Sequence, residues 1–487
     1  MPKSSSVSNA AVMFICGSAA LVMGHLLVTA MQYGVKPVLF LFLVVLLFLG
    51  LALFIRDLKT FLLFMMILLI PTGLDYHVSF RPLVQFQSSP FVAGIAVTSV
   101  DFLLAILYIY WFALVCLGRS MRRPTLGHPL GTLLLAWIAY SLIASKLTAT
   151  RFEYSIYEVI VLSLGFLLYF YLVNNLNTHR DLRVVLYALF AGALAQAVYM
   201  IGQFVTGLNY TLMGEFYDPR DVVGFRAAGF LGDEVISAQV MAMVFPLGLV
   251  YYLKLPDKLS RGVALFCILV GLAGIIAAKH RAAWLAIAVS FVTILAIGVV
   301  RKWVASGTVL KGAVVAMLIL MLASPFIVTR FRVGTWGEVR IPLARTAISM
   351  FKDNWVLGVG ASNYSFEIDK YMPVKLRHTW HASVHSEYLL QLVERGVVGA
   401  FLYYWLMVAM SVRLWRLTRS SDSLIAAVAA GLFAAMISSF FMRVFNRFHL
   451  PVSYATVCVF LALTASMGYL EKKRLTTKNR VTTIGKE

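Results

Sequence analysis

The stretch His378–Val412, HTWHASVHSEYLLQLVERGVVGAFLYYWLMVAMSV, begins in polar residues and ends in an unbroken apolar run. At the seam stand His385, Ser386 and Glu387, which read as the start of a membrane helix. Serine caps free amides and an acid suits the first turn. A histidine at that place faces the positive end of the helix dipole, which disfavours a second proton and keeps the imidazole a base. His378, His381 and His385 are spaced three and four apart and would share one face of a helix. Imidazole is a zinc ligand, but no cysteine or carboxylate motif accompanies the three. One histidine is therefore read as catalytic and the others as interfacial.

Composition sets the class around this seam. Of 487 residues, 61% are hydrophobic and 13% charged, with a mean hydropathy of +0.85; soluble domains are about half apolar and about a quarter charged. The apolar runs are continuous rather than alternating, so the expected class is an all-α polytopic helical bundle and not a barrel. The formal charge of +21 is the ordinary excess of cytoplasmic Lys and Arg in such a protein and calls for no nucleic-acid partner. Cys16, Cys116, Cys267 and Cys458 all fall in apolar runs and read as small buried hydrophobes, neither disulfides nor metal ligands. The N-terminal apolar run reads as an uncleaved first helix.

Apolar segments fall near 8–31, 36–55, 60–73, 101–118, 130–147, 154–173, 183–206, 234–253, 262–279, 282–300, 311–328, 387–412, 423–441 and 451–470. The third is short and the pair around Lys279-His280-Arg281 suggests a re-entrant or broken helix, so about 12–14 crossings are expected. With Lys3 inside, alternation puts Arg56/Lys59, Arg119/Arg122/Arg123, Arg180/Arg183, Lys254/Lys258/Arg261, Arg301/Lys302/Lys311 and Arg413/Arg416/Arg419 on one side. That side is the cytoplasm, with both termini in it. The opposite face receives 74–100, 207–233 and the long polar segment 329–386, a length usually reserved for function. The organisation is thus a transmembrane bundle over 1–328, a large outer loop over 329–386, and C-terminal helices with a basic tail over 387–487. Within the loop, IPLARTAISMFKDN reads as a short amphipathic helix with Pro342 in its first turn, followed by a Gly-rich turn, LGVGASNY.

Charges retained beside apolar spans are costly unless paired or used. Arg281, Arg226 and Arg220 flank spans on the outer side, and Arg340 and Arg345 lie in the long loop. Converging guanidiniums would bind phosphate or pyrophosphate through their forked donors; the alternative is that each snorkels to headgroups. Asp75 and Asp101 are candidate carboxylates, Asp75 reading more naturally as part of the PTGLDY turn. No nucleophile elbow, zinc-protease, P-loop or dinucleotide motif occurs in a supporting context. Tyr210, Tyr217, Trp336 and Trp380 read first as an aromatic belt and second as sugar-stacking surfaces.

His385-Ser386, nine residues, then Gly396-x-x-Gly399 resembles the His-[Asn/Ser/Gln]-x9-Gly-x-x-Gly pattern of bacterial O-antigen ligases. Arg281 with Leu285 is similar to the Arg-x-x-x-Leu element of that family, and Arg226 with Gly229 to its earlier outer-loop arginine, although DEVISAQ departs from the commoner Asn-containing form. The segment 340–364 looks like the region shared by O-antigen ligases, O-antigen polymerases and O-linked oligosaccharyltransferases. The resemblance implies a lipid-dependent glycosyltransferase (GT-C-like) fold in the bacterial inner membrane, with its active site facing the periplasm. It implies an inverting transfer, without metal or other cofactor, of polysaccharide from undecaprenyl pyrophosphate to a sugar hydroxyl of lipid A–core. In that reading His385 is the catalytic base and Arg281, Arg226 and Arg220 bind pyrophosphate. Arg340, Arg345, Trp380 and His381 are candidate loop or acceptor contacts. Partners would be the lipid-linked donor, the lipid A–core acceptor and membrane lipids. A polymerase and a protein oligosaccharyltransferase are close alternatives; a transporter or flippase of lipid-linked sugars is the alternative of another class.

Overall fold

Helices begin where the chain supplies acceptors for free amides. Thr98 and Asp101 form a reciprocal capping box, as do Thr178 and Asp181, and Asp422 accepts from the amides of Leu424 and Ile425 at 3.0 and 3.1 Å. The computed structural model describes residues 57–72, 75–80, 94–117, 124–207, 225–254, 258–303, 336–373, 384–447 and 451–484. Its helices are α1 (Leu58–Leu68), α2 (Ser99–Cys116), α3 (Leu130–Thr148), α4 (Phe152–Asn175), α5 (His179–Thr206), α6 (Glu234–Lys254) and α7 (Lys258–Ala277). They continue as α8 (Arg281–Val300), α9 (Trp336–Asp353), α10 (Tyr364–Tyr371), α11 (Glu387–Leu417), α12 (Ser423–Phe445) and α13 (Pro451–Ile484).

Among the described residues nine helices are long and apolar enough to cross a bilayer: α2 to α6, α8 and α11 to α13. The chain is an integral membrane protein of the expected helical class. The apolar runs at 8–31, 36–55 and 311–328 lie outside the described residues. A short ladder, β1 (Asp75–Phe80) against β2 (Gly94–Thr98), adds two antiparallel strands. Asp75 opens that ladder opposite Thr98 rather than sitting in a turn, and Asp101 spends its carboxylate on the Thr98 amide and hydroxyl. The Lys279–His280 region is a tight helix–turn–helix between α7 and α8. Cys458 is buried as expected, but Cys116 is exposed, because α2 turns its last turn outward.

The bundle core is continuous through α1 to α8 and α11 to α13, with α12 packed most extensively on α6 and α13 on α4. A second, smaller core lies beneath the long loop. There Leu343, Ala347 and Met350 of α9 meet Tyr364 and Ile368 of α10 and Leu390 and Val393 of α11. α9 begins at Trp336, earlier than the sequence suggests, so Pro342 stands inside it rather than in the first turn.

One break positions the loop. α11 is kinked at Gly396, whose φ of 62° and ψ of −172° no helix allows. A continuous helix would aim the Val397 amide at Val393 O; instead it donates to Trp355 O at 2.8 Å. Val393 O and Glu394 O then accept from the amides of Val359 and Gly360, both at 2.9 Å. The Gly-rich segment LGVGASN therefore stitches into the helix break. A Cβ at Gly396 would collide with the Val356 carbonyl, and one at Gly399 with the Tyr140 ring. The two glycines of the His-x10-Gly-x-x-Gly pattern thus have steric reasons.

Candidate active site

His385 precedes α11, two residues ahead of its first turn, and is half-buried. Ser386 holds the N-cap position but makes no side-chain cap bond, so the expected serine cap is a backbone position only. Burial, then the nearby charges of Arg340 and Arg447, push the His385 pKa down to about 4. The imidazole is thus neutral near pH 7, as the sequence suggests, though the causes are desolvation and guanidiniums rather than the helix dipole alone.

Arg340 reaches the site from α9. Its Nη1 donates to Phe445 O at 3.1 Å, at the end of α12, and burial lowers its pKa. Arg281, the first residue of α8, lies within electrostatic reach of both Arg340 and Arg226. Arg226 is carried by the 225–233 segment, which is fastened at several points. The Ala227 amide donates to Ala277 O at 3.1 Å, and Gly229 and Phe230 donate to the side-chain oxygens of Gln203 and Gln196 at 2.8 and 3.1 Å. Gly229 has φ +69°, and a Cβ there would overlap the Gln196 amide, so only glycine fits the turn. Arg226 Nη1 pairs with Glu234 Oε1 at 2.6 Å.

The structure thus brings His385, Arg340, Arg281 and Arg226 to one end of the bundle. Arg345 points elsewhere, exposed on the far side of α9. Arg220, Trp380 and His381, like His378, lie outside the described residues. Three groups were missed from sequence, and Glu387 was read only as a first-turn acid. Arg447, past the end of α12, acts electrostatically on His385 and is itself near Asp233, Glu387 and Glu394. Asp233 caps α6 through Val235 N and Ile236 N at 2.7 and 2.9 Å; burial and Glu234 raise its pKa, which weakens it as a counter-ion. Glu387 is buried and accepts from Gln391 Nε2 at 2.8 Å. Arg443 is buried beside it. The signal was available: the stretch RVFNR puts two arginines, Arg443 in the last turn of α12 and Arg447 just past it, at the end of an apolar span, where charge is expensive to keep.

A second ionic cluster lies deeper in the bundle. Arg395, 1% exposed, pairs with Glu158 and Glu394, and its Nε donates to Ser141 Oγ at 3.0 Å. Ser362 Oγ donates to Glu158 Oε2 at 2.6 Å, which ties the Gly-rich loop to the same centre. Among the described residues no group of three His, Cys, Asp or Glu could hold a metal ion.

Chemically, the site offers a neutral imidazole next to a concentration of guanidiniums at a membrane surface. Such a set can accept a proton and neutralise an anionic leaving group. A search of curated proteins finds no match to the chain. The O-antigen ligase family model matches residues 239–404, a segment that contains Arg281, Arg340, His385, Gly396 and Gly399 and leaves out Arg226 and Arg447. The chain therefore carries an O-antigen ligase family domain over residues 239–404, a family whose enzymes transfer lipid-linked glycans.

Proposed function

We propose that the protein is an O-antigen ligase of the bacterial inner membrane, with its active site facing the periplasm and both termini in the cytoplasm. It moves polysaccharide from undecaprenyl pyrophosphate to a sugar hydroxyl of lipid A–core. The observation that carries the reading is the convergence of His385, Arg340, Arg281 and Arg226 in and beside a domain of this family.

In the proposed reaction the acceptor hydroxyl attacks the anomeric carbon of the donor while its proton passes to the His385 imidazole. The bond from that carbon to the phosphate oxygen breaks, and the pyrophosphate leaves with its electron pair. One displacement inverts the anomeric configuration. Arg281, Arg226 and Arg220 bind the pyrophosphate and balance the charge that develops on it, the role a divalent cation fills elsewhere. Arg340 lies close to both His385 and Arg281; Trp380 and His381 are candidates for acceptor contacts. A base of this kind contributes about 10²–10⁴-fold to the rate. A depressed imidazole pKa suits this cycle, because the donor's phosphates offset the guanidinium charges and return basicity to His385 once substrate is bound.

The test is transfer by the purified protein in lipid nanodiscs, with lipid-linked glycan, lipid A–core and EDTA present. The expected product is glycan joined to core, absent with His385→Ala. Transfer onto a second donor molecule or onto a protein hydroxyl would identify a polymerase or an oligosaccharyltransferase instead. Translocation of donor without a new glycosidic bond would identify a transporter.

A further inference from the structure

Helix α9 shows two unlike faces. Arg340, Leu343, Ala347 and Met350 turn inward. Ile341, Arg345, Ile348 and Lys352 turn outward, and at 3.6 residues per turn they fall within about 60° of arc. Ile341 is 52% exposed, and Trp355, just past the helix end, 57%. An apolar and basic stripe ending in an exposed tryptophan would be a poor surface to leave in water.

The structure shows where that stripe ends. Trp355 O accepts from the Val397 amide of α11 at 2.8 Å, and beyond Val397 the exposed side chains Val398, Phe401 and Trp405 form the outer wall of that span. Past the break at Gly396, α11 runs from Val397 to Leu417, about 31 Å at 1.5 Å per residue, which matches the roughly 30 Å hydrocarbon of a bilayer. With Arg413 and Arg416 at the far end of the span, the hydrocarbon begins near Gly396–Val397. Trp355 therefore sits at the polar–apolar boundary, the depth that tryptophan favours. The outer stripe of α9 continues the lipid-facing wall of α11 into the headgroup layer.

We propose that α9 lies on the bilayer as an amphipathic segment, its Ile341–Arg345–Ile348–Lys352–Trp355 face seated among the anionic headgroups of bulk phospholipid. The isoleucines enter the acyl boundary, while Arg345 and Lys352 lay their stems along it and reach the phosphates. Because Arg340 leaves the same helix on the opposite face, this contact fixes the depth at which Arg340 meets His385. Neither the placement nor its test depends on the transfer reaction.

The experiment uses the full chain in nanodiscs, with Cys16, Cys116, Cys267 and Cys458 replaced by alanine and an environment-sensitive fluorophore at Ile348→Cys or, in a second protein, Ile341→Cys. Asp369→Cys on α10, exposed, is the aqueous control. In discs containing phosphatidylglycerol, labels at 348 and 341 are expected to be quenched by lipid-borne nitroxide and protected from iodide, unlike the label at 369. Removing both charges (Arg345→Gln with Lys352→Gln) or using discs of phosphatidylcholine alone should weaken that protection by roughly fivefold per charge, about 25-fold for the pair. Iodide access at 348 equal to that at 369 overturns the proposal. Equal protection in both disc compositions overturns the anionic part, and protection that arises only on adding lipid A–core reassigns the face to the acceptor. If the labelled proteins do not fold, hydroxyl-radical footprinting of the unaltered chain decides. Trp355 protected in discs supports the placement, and Trp355 fully modified there ends it.

Discussion

The two arginine clusters differ in how their charge is compensated. Around Arg395, the carboxylates of Glu158 and Glu394, a serine hydroxyl and the face of Trp137, 5.1 Å from the guanidinium, surround a single cation. Around His385, the guanidiniums of Arg226, Arg281, Arg340 and Arg447 meet Glu234, Glu387 and an Asp233 whose burial favours its neutral form. A buried arginine ringed by acids ties helices together, whereas several guanidiniums gathered beside a neutral imidazole support the anion site proposed above. The same residue type therefore has two uses, separated by the acids that the fold brings to it.

That contrast is open to attack. The largest effect is expected at His385. His385→Ala should lower transfer by about 10²–10⁴-fold with no loss of thermal stability in detergent. A parallel drop in melting temperature would make His385 structural, like Arg395. Glu158→Ala should do the reverse, destabilising by about 3–5 kcal/mol because Arg395 is left buried without its main partner. Unfolding followed by intrinsic fluorescence reads this, and an unchanged midpoint would remove the lock. Arg281→Gln is expected to weaken transfer by roughly 10²-fold, with Arg281→Lys recovering only part, since an ammonium lacks the fork. Full recovery by lysine would show that charge alone suffices. Gly396→Ala should cost about 1–3 kcal/mol through its positive φ and through collision with Val356.

The smallest effect, and the one that sharpens the comparison most, is on pH dependence. Only neutral His385 accepts a proton, so transfer is present above its pKa and lost as pH falls through it. In the free protein burial and the charges of Arg340 and Arg447 hold that pKa down, at about 4. The acid limb of kcat/KM should therefore lie well below the ordinary histidine range. The limb of kcat should lie higher, because bound pyrophosphate offsets the guanidiniums. Arg340→Gln should raise the kcat/KM limb, and an unmoved limb would mean that Arg340 does not face the imidazole.

Much of the molecule was legible in order of residues. Unbroken apolar runs dictate membrane helices because lipid leaves backbone amides no other partner, and the boundaries of α3, α6, α8 and α12 fall within a few residues of where hydropathy ends. His385, Arg281 and Arg226 were legible because ionisable groups beside such runs are expensive to keep. The charge of Arg447 and the first-turn place of Glu387 could be read, but their bearing on the site, like that of Asp233, lies in distances between helices far apart in sequence. Glu158 and Arg395 are separated by 237 positions, and only the fold makes them a pair.

Sequence by itself determined the class, the seam before α11 and the chemical types at the site, because solvent transfer acts locally along a chain. Tertiary structure alone decided which acids each arginine meets and which arginines gather near His385. It also decided that Gly396 breaks a helix so that a distant loop can enter it, and that Arg340 and Arg345 face opposite ways from one helix. Electrostatic compensation depends on separation in space, and a few ångströms at a helix crossing turn a structural ion pair into a binding surface.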